Sequence, residues 1–443
     1  SNGRWTFAST KDNERGRRYW LWGLFGDSNF ATPVDVTNVT AIDQGMRLSN
    51  PRAIKEILVV NYTVLMLVDV SNEGDTTSIF ELFTWDWSDG VNSWPTPMIG
   101  RVYAGAKERE TPTAIAFPQM TSVNFGGVAC NGFWCHIGIQ RVVYTWGVPG
   151  TVNASPPWTI LEDPVDPDNL SSTTSDVGSQ ILSITAGPEH VFVATISGIY
   201  FGFGANTNNR IDVGPTSNFY RAAQVNSPSS AAGLAFLDFA CGFSHSLLLV
   251  ESKLFGWGDS THGQLLQTTS ATSPIELAFP AGHGNPVHVS AIAQTSFLLF
   301  PDGVLYAWGD DYATGSPSYY SSGLRGDHGP FSTSVAINVA LPSNVSLLDA
   351  PRLTQSTFNL LHALSIQVLA NISDTDLLQS QKTRNGLGSY QRAPPAQALI
   401  AWGQHSALRL DASQVGSASL ENASFVPIIN VSVSDLADFV VPS

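Results

Sequence analysis

The chain has 443 residues, of which 43% are hydrophobic and only 13% are charged, and its formal net charge is −15 at pH 7. Soluble domains carry about 25% charged residues, so this composition excludes long solvated helices and coiled coils. Nucleic acids and anionic membranes need a concentrated positive surface, yet the longest basic run is Arg17-Arg18. We expect no nucleic-acid binding, and no membrane insertion because no run of about 18 apolar residues occurs.

A short motif, an apolar strand that ends in an aromatic residue followed by glycine, recurs along the chain. Asp86 replaces the glycine in the second copy, and phenylalanine replaces tryptophan in the fourth. Internal repeats at this period are typical of propellers, in which each repeat forms one four-stranded blade. The seven aromatic positions, expected to pack between blades, are Trp22, Trp85, Trp146, Phe203, Trp257, Trp308 and Trp402.

The spacing between successive aromatic positions locates two inserted segments. The first five spacings are 63, 61, 57, 54 and 51 residues, whereas the last is 94. We therefore expect irregular insertions at about 311–344 and 371–397. Binding elements of a propeller often lie in such loops, so each insertion is either a surface loop without a role or a contact with a partner.

A second element precedes the aromatic motif and consists of a strand, a glycine-rich turn and another strand. His136, His190 and His245 follow such turns, and the sequence suggests that they occupy matching positions. Metal binding would need these histidines to converge from separate blades. We expect each one to bond to the backbone of its own blade instead.

Closure of the ring can also be predicted. The first aromatic motif begins near the start of the chain, so its innermost strand must come from elsewhere. The apolar stretch 435–441 is the candidate, pairing with the strand near 4–8. The expected fold is an all-β, seven-bladed β-propeller of four-stranded antiparallel blades, closed by its N- and C-terminal strands and forming one domain over 1–443.

Cys130 and Cys135 flank a turn-like sequence, so they form either a local disulfide or, with Cys241, a set of buried inert thiols. Asp259, Ser260 and His262 have the residue types of a catalytic triad. A triad needs residues that converge on a rigid scaffold, and we expect a structural turn here.

Two further groups have the residue types of metal ligands. The acidic loop 162–169 has the alternating carboxylates of a calcium site, but its prolines and missing glycine favour a solvated loop. His283 and His288 are expected in a loop without metal. We expect no cofactor.

Eight sequons for N-glycosylation occur, against about four to five expected by chance from the composition. Together with a content of only five lysines, they favour the secretory pathway. The candidate acceptors, of which Asn61 is expected inside an apolar strand, are Asn38, Asn61, Asn153, Asn169, Asn344, Asn371, Asn422 and Asn430.

The stretch from Ala240 to Leu265 resembles the repeat of the regulator-of-chromosome-condensation family, Gly-x-x-His-Ser followed by Trp-Gly and Gly-Gln-Leu-Gly. Leu266 stands where the family has its last glycine. The resemblance implies a seven-bladed propeller but no single activity. The family includes a nuclear exchange factor for a small GTPase, domains of ubiquitin ligases, ectodomains of plant receptor kinases and secreted enzyme inhibitors.

These observations favour a non-catalytic protein-interaction propeller, an extracellular or cell-surface glycoprotein that acts as an assembly subunit or a recognition ectodomain. Its partners would be other proteins, including copies of itself. The alternative is an intracellular, cytoplasmic regulator such as a small-GTPase exchange factor or a ubiquitin-ligase adaptor. An enzyme that uses the central channel would need clustered carboxylates or histidines, which the sequence does not offer.

Overall fold

In its described residues, the computed structural model consists of antiparallel sheets joined by loops, with short 3-10 turns at Thr207–Asn209 and Ser229–Ala231. In the part that it describes, no helix is long and apolar enough to span a membrane. The described residues are 5–12, 16–25, 28–35, 54–60, 63–71, 75–86, 113–115, 117–130, 134–147, 175–212, 218–226, 228–231, 233–292, 294–310, 332–339, 345–347, 360–367, 398–403 and 426–430.

Seven sheets follow one another along the chain, and each is one blade. Blade 1 contains β1 Trp5–Asp12, β2 Gly16–Phe25 and β3 Ser28–Asp35. Blade 2 contains β4 Ile54–Val60, β5 Thr63–Asp69, β6 Ile79–Asp86, β7 Thr113–Ala114 and β8 Met120–Thr121. Blade 3 contains β9 Phe125–Cys130, β10 Trp134–Ile139, β11 Val142–Gly147 and β12 Ser175–Asp176.

The remaining four blades each contain four strands. Blade 4 contains β13 Ile181–Ala186, β14 His190–Thr195, β15 Tyr200–Ala205 and β16 Asn218–Gln224. Blade 5 contains β17 Phe236–Cys241, β18 His245–Val250, β19 Lys253–Gly258 and β20 Ala271–Leu277. Blade 6 contains β21 His288–Ile292, β22 Thr295–Leu299, β23 Leu305–Asp310 and β24 Ser332–Asn338. Blade 7 contains β25 Val345–Leu347, β26 Leu360–Gln367, β27 Ala398–Gly403 and β28 Val426–Asn430.

The aromatic-Gly motif occupies the same strand in every blade, which confirms the repeat. It lies on the third strand of blades 2 to 7, and on β2, the strand next to the outermost one, in blade 1. In blades 1, 4, 5 and 6, the pairing of the two outermost strands shifts register just before the motif glycine. At two of these glycines, Gly258 and Gly309, φ is +98° and +99°. A bulge with positive φ requires glycine, which explains the motif.

Blade 1 contains three described strands, and the innermost one is β1. The predicted closing strand, 435–441, lies outside the described residues, so pairing with β1 stays a prediction. The geometry is compatible with it, because the other blades have one further strand at that position.

Aromatic and aliphatic side chains fill the junctions between neighbouring blades. Phe192 of blade 4 stacks on Phe239 of blade 5 with ring centroids 4.6 Å apart, and Trp257 meets Phe192 edge-on at 5.5 Å. Burying each such ring stabilises the fold by roughly 2–3 kcal/mol. The backbones approach closely as well, since a Cβ on Gly187 would lie 2.5 Å from the Cβ of Cys241.

The outermost strands of three blades contain a proline: Pro33 in β3, Pro274 in β20 and Pro427 in β28. Proline cannot donate a backbone hydrogen bond and is confined to edges and bulges of sheets. Its presence agrees with the outermost, unpaired position of these strands in the described sheets.

One detail differs from the sequence predictions. The segment 311–344 is not irregular throughout, because β24 forms the outermost strand of blade 6 at Ser332–Asn338. The insertion 371–397 and every candidate acceptor except Asn430, the last residue of β28, lie outside the described residues.

Candidate interaction surface

One face of the propeller is formed by the turns between first and second strands and the loops between third and fourth strands. We call it the loop face, and its described part belongs to blades 4, 5 and 6. The same backbone bond recurs there three times, because Glu189, Ser244 and Gln294 each accept the N–H at or just after the third strand's end, at 2.8, 2.9 and 3.0 Å. The three positions are therefore equivalent in their backbone bonding, but their side chains are a carboxylate, a hydroxyl and an amide.

The loops after the third strands of blades 4 and 5 also share their internal bonds. The Asn206 side chain accepts the N–H of Ile211 at 2.9 Å, and the Ser260 hydroxyl accepts that of Leu265 at 3.0 Å. Each loop thus folds back in the same way and packs an aliphatic side chain against its own sheet. The Leu265 side chain lies 2.8 Å from where a Cβ on Gly256 would be, so only glycine leaves room for it.

Both loops continue through a residue in the left-handed region. The φ angles are +53° at Asp212 and +54° at Leu266. This explains why the resembling family has glycine at the Leu266 position, since side chains other than glycine are strained there. Burial raises the pKa of Asp212 to about 6, and its side-chain hydrogen bond with Asn226 opposes the rise.

Two histidines join neighbouring blades, and the prediction of backbone partners within one blade is wrong for them. His190 Nε2 lies 2.9 Å from Ser246 Oγ of blade 5, and His245 Nε2 lies 2.9 Å from Ser296 Oγ of blade 6. We call these two contacts the His–Ser bridges. Each bridge adds a side-chain hydrogen bond to its junction, one between blades 4 and 5 and one between blades 5 and 6.

His136 does not occupy the matching position, contrary to the sequence prediction. His190 and His245 stand opposite the glycine of the aromatic-Gly motif, whereas His136 stands opposite Thr145, two residues away from it. Its Nδ1 contacts Thr145 Oγ1 at 2.9 Å within blade 3. This hydrogen-bond contact lies within its own blade, as expected, but it is made with a side chain rather than the backbone, and the His136 ring also packs edge-on against Phe203 of blade 4.

The carbonyl of Gln264 gathers two donors at the junction of blades 5 and 6. The Trp308 indole N–H donates to it at 2.7 Å, and the Ser296 hydroxyl donates to it at 3.0 Å. At the junction of blades 4 and 5, the Ser246 hydroxyl donates to the equivalent carbonyl of Arg210 at 2.6 Å. Both junctions therefore contain a serine hydroxyl that donates to a backbone carbonyl. The residues that supply the carbonyl, Arg210 and Gln264, have different side chains.

The Arg210 side chain is buried across the junction of blades 4 and 5. Its guanidinium donates to the Glu189 carboxylate at 2.7 Å and to the Phe243 carbonyl at 2.5 Å, and its Nε donates to the Thr207 carbonyl at 3.0 Å. Burial lowers the pKa of Arg210, and the ion pair with Glu189 opposes this. The Glu189 side chain stays 41% exposed, so the pair reaches the surface.

The three residues with triad chemistry have separate partners. The buried Ser260 hydroxyl donates to the Gln267 carbonyl, and His262 Nδ1 faces Asp310 at 3.3 Å. Burial disfavours the Asp259 carboxylate, but hydrogen bonds from Thr261, Ser270 and Ser244 outweigh burial and hold the pKa of Asp259 below its ordinary value. These contacts fix the loop's shape and do not assemble a nucleophile with a base.

His288 is not in a loop, as the sequence suggested, but begins β21 and pairs with the buried Asp238 of β17. His283 does lie in a loop, where it contacts Asp302 at 2.6 Å and Tyr306 at 3.2 Å. Within the described stretches, no group of three or more metal-ligating side chains comes together. The acidic loop 162–169 lies outside them.

Cys130 and Cys135 are joined by a disulfide between neighbouring strands β9 and β10, while Cys241 is buried and free. Of the alternatives left by the sequence, the local disulfide therefore holds for the first two cysteines and the buried thiol for the third.

Sequence reasoning missed Ser246, Ser296 and Arg210 as junction residues. The signal for the two serines was present, because each directly follows the position opposite the motif glycine. No local pattern identifies Arg210, because two of its three partners, Glu189 and Phe243, are 21 and 33 residues away.

Comparison with known proteins agrees with this architecture. The family model described as "Regulator of chromosome condensation (RCC1) repeat" matches residues 236–264. The ultraviolet-B receptor UVR8 of Arabidopsis thaliana is 28% identical over 151 residues, 33% of each chain, and the secretion-regulating guanine nucleotide exchange factor of Bos taurus is 34% identical over 93 residues, 19% of this chain and 20% of that one. The matched stretches thus span a third or less of these relatives.

A solved structure extends the likeness over almost the whole chain. Human WBSCR16 covers 96% of this chain and 94% of its own, with a TM-score of 0.56 and 13% identity. At that identity the likeness concerns the fold alone. Taken with the matched repeat and the seven antiparallel sheets, these findings identify the chain as an RCC1-like β-propeller.

Proposed function

We propose that the chain is a non-catalytic protein-binding propeller that recognises its partner through the loop face of blades 4 to 6. The observation that carries the proposal is the pattern of the repeat. Backbone positions that are equivalent in bonding present different side chains, namely Glu189, Ser244 and Gln294 at the turns. A surface that keeps its geometry and varies its chemistry is suited to selective recognition.

The exposed polar side chains on this face support a protein partner. Glu189 and His262 expose 41% and 43% of their side chains; Glu189 is held by its ion pair with Arg210, and His262 Nδ1 lies 3.3 Å from the Asp310 carboxylate. Side chains that are already ordered lose less entropy on binding. The chain's net charge of −15 favours a partner with a basic contact surface.

Site-specific photo-crosslinking in producing cells tests the proposal. A photoreactive residue is placed at Glu189 or His262 on the loop face. The control positions are Ser197, which is exposed at the opposite end of blade 4, and Val335, which is 66% exposed on β24. We expect discrete adducts from the loop face only. Equal adducts from the control positions, or none from the loop face, would refute the proposal.

The setting of this interaction remains part of the proposal. The sequons and the low lysine content favour an extracellular or cell-surface protein, assembled with other proteins or with copies of itself. Secreted material should then lose mass on deglycosylation. An unchanged mobility would favour the cytoplasmic alternative.

The name of the bovine relative favours a second candidate function, nucleotide exchange on a small GTPase. The test is the release of fluorescent GDP from a panel of purified small GTPases in the presence of the full chain. Release that is accelerated well above the spontaneous rate would support this candidate, and unchanged rates across the panel would count against it.

A further inference from the structure

The proton positions in the His–Ser bridges follow from the partners of the serines. Each serine hydroxyl has one proton, and Ser246 and Ser296 donate theirs to backbone carbonyls at 2.6 and 3.0 Å. The serine oxygens must therefore accept from the histidines. Neutral His190 and His245 consequently carry their proton on Nε2, and their Nδ1 atoms are unprotonated.

Neither Nδ1 has a place for a second proton. Both atoms are fully buried, and neither has a hydrogen-bond partner among the described residues. At His245 the backbone is also very close, since a Cβ on Gly242 would lie 2.4 Å from Nδ1. An imidazolium at either bridge would therefore be a buried charge with one unsatisfied donor, which is strongly unfavourable.

The charged groups around the bridges do not remove this penalty. Burial has the largest effect on His190, and the Arg210 cation and His245 add to it. Burial also dominates at His245, where Arg210 adds to it and the Asp259 carboxylate opposes it. Arg210 is itself neutralised by Glu189 on the surface side.

Further titratable pairs face the same blades from other elements. His262 faces Asp310 on the loop face, and His288 pairs with Asp238 between the first strands of blades 5 and 6. Asp212 acts in the opposite direction to the bridges, because burial raises its pKa to about 6 and its protonated form is favoured in the fold.

We propose that the two His–Ser bridges form an acid-sensitive lock, which holds blades 4, 5 and 6 together at neutral pH and loosens when the histidines are protonated. The bridges lie at two successive junctions, His190–Ser246 between blades 4 and 5 and His245–Ser296 between blades 5 and 6, and the Arg210 cation disfavours the charged form of both histidines. The lock is a property of the propeller alone. Its consequence for partner release rests on the proposed function, because the turn that carries Phe243 and Ser244 belongs to the loop face.

The sign of the effect follows from linkage. Burial lowers the pKa of His245 from 6.5 to about 4 and lowers that of His190 well below its ordinary value. The opened state therefore binds more protons, so stability is lost as the pH falls through 6.5 toward the native values. For His245 alone, the opening equilibrium should be about 20-fold larger at pH 5 than at pH 7.

Hydrogen exchange on the full chain, measured by mass spectrometry at pH 7 and pH 5 with exchange times scaled to the intrinsic rate, tests the lock. Peptides from β14 and β18 of the wild type should lose protection about 20-fold or more at pH 5. The double variant His190→Gln with His245→Gln retains a donor near the Nε2 position but cannot be protonated, and we expect it to lose less than about threefold. The matched control is His136→Gln, which removes a buried histidine that contacts Thr145 of its own blade and takes no part in either His–Ser bridge.

An equal loss of protection in the wild type and the double variant would overturn the proposal, as would a loss that His136→Gln abolishes. If the double variant fails to fold, the wild type still decides the question through ¹⁵N-histidine NMR. Two histidines should carry their proton on Nε2 and stay neutral in the folded protein at pH 5. Imidazolium signals from both bridges in the folded state at pH 6 would refute the lock. These measurements need no partner, so their failure is distinct from failure of the proposed function.

Discussion

Blades 3 and 5 use the same pair of backbone positions in different ways. In blade 3, Cys130 and Cys135 stand opposite each other and form a disulfide within the blade. In blade 5, Cys241 stands opposite Ser246, and the serine bonds to His190 of blade 4 instead. The register is identical, so one position either closes its own hairpin covalently or ties its blade to a neighbour. The same pair of positions therefore stabilises blade 3 by a disulfide and blade 5 by a hydrogen bond to its neighbour.

The largest expected effect concerns the glycine of the aromatic-Gly motif, which is Gly147 in blade 3 and Gly258 in blade 5. In Gly258→Ala the new Cβ would lie 2.5 Å from the Ser244 carbonyl at φ +98°. We expect a loss of about 2–5 kcal/mol in the free energy of unfolding by denaturant. The control is Gly198→Ala, which also has positive φ, +73°, but no atom within 4 Å. It should lose only about 1 kcal/mol, and equal losses would show that close approach is unimportant.

The next effect concerns the disulfide of blade 3. Replacing Cys130 and Cys135 together by serine removes a cross-link with a sequence separation of 5. The chain-entropy model gives a loss of about 2 kcal/mol in the free energy of unfolding. Adding a reductant to the wild type should reproduce the loss and leave the double variant unchanged. If the reductant lowered the stability of the double variant by a similar amount, the loss would not come from the Cys130–Cys135 disulfide.

The tryptophans of blades 5 and 6 offer a matched pair. Trp308 donates its indole N–H to the buried Gln264 carbonyl, whereas the Trp257 indole N–H has no partner among the described residues. Trp308→Phe should therefore cost about 1–2 kcal/mol more than Trp257→Phe in denaturant unfolding. Equal costs would mean that ring volume alone matters at this position.

Introducing the disulfide of blade 3 into blade 5 tests whether the two hairpins are equivalent. Ser246→Cys places a thiol opposite the free Cys241 in the register of Cys130 and Cys135. We expect a second disulfide, measured as the absence of free thiols after oxidation and denaturation. Because the bridge to His190 is lost, the gain of about 2 kcal/mol should shrink to about 1 kcal/mol or less. Two free thiols would contradict the equivalence of the two hairpins.

The smallest expected effect depends on pH. The raised pKa of Asp212, about 6, means that its carboxylate weakens the fold above pH 6 and that this cost disappears as the pH falls toward 4. Asp212→Asn, which tolerates the same positive φ, should raise stability by up to about 1 kcal/mol at pH 7 and not at pH 4. Thermal unfolding measures it, with Glu251→Gln as the control, because Glu251 is exposed and the Ala235 N–H that it accepts can also donate to an amide oxygen. A gain that persists at pH 4 would assign the effect to something other than charge.

The blade repeat could be predicted because its determinants are local. An aromatic residue next to a glycine marks a third strand with a bulge, and the pattern is complete within a few residues. The partners of His190 and His245 could not be predicted, because they depend on how one blade is seated on the next.

The candidate surface was less accessible to sequence reasoning than the fold. Asp259, Ser260 and His262 were expected to form a structural turn because they follow the Trp-Gly of the resembling repeat, and their contacts are structural. The half-exposed ion pair of Arg210 with Glu189 depends on a loop that returns to its own blade's turn. No periodicity records such a contact.

The prolines of the outermost strands have a consequence for self-association. A propeller exposes one open β-edge per blade, and each edge could template a strand of another molecule, as in fibril growth. Pro33, Pro274 and Pro427 each remove an N–H that such an incoming strand would need. Copies of this chain that meet in an assembly are thus steered away from sheet extension and toward contacts made by side chains.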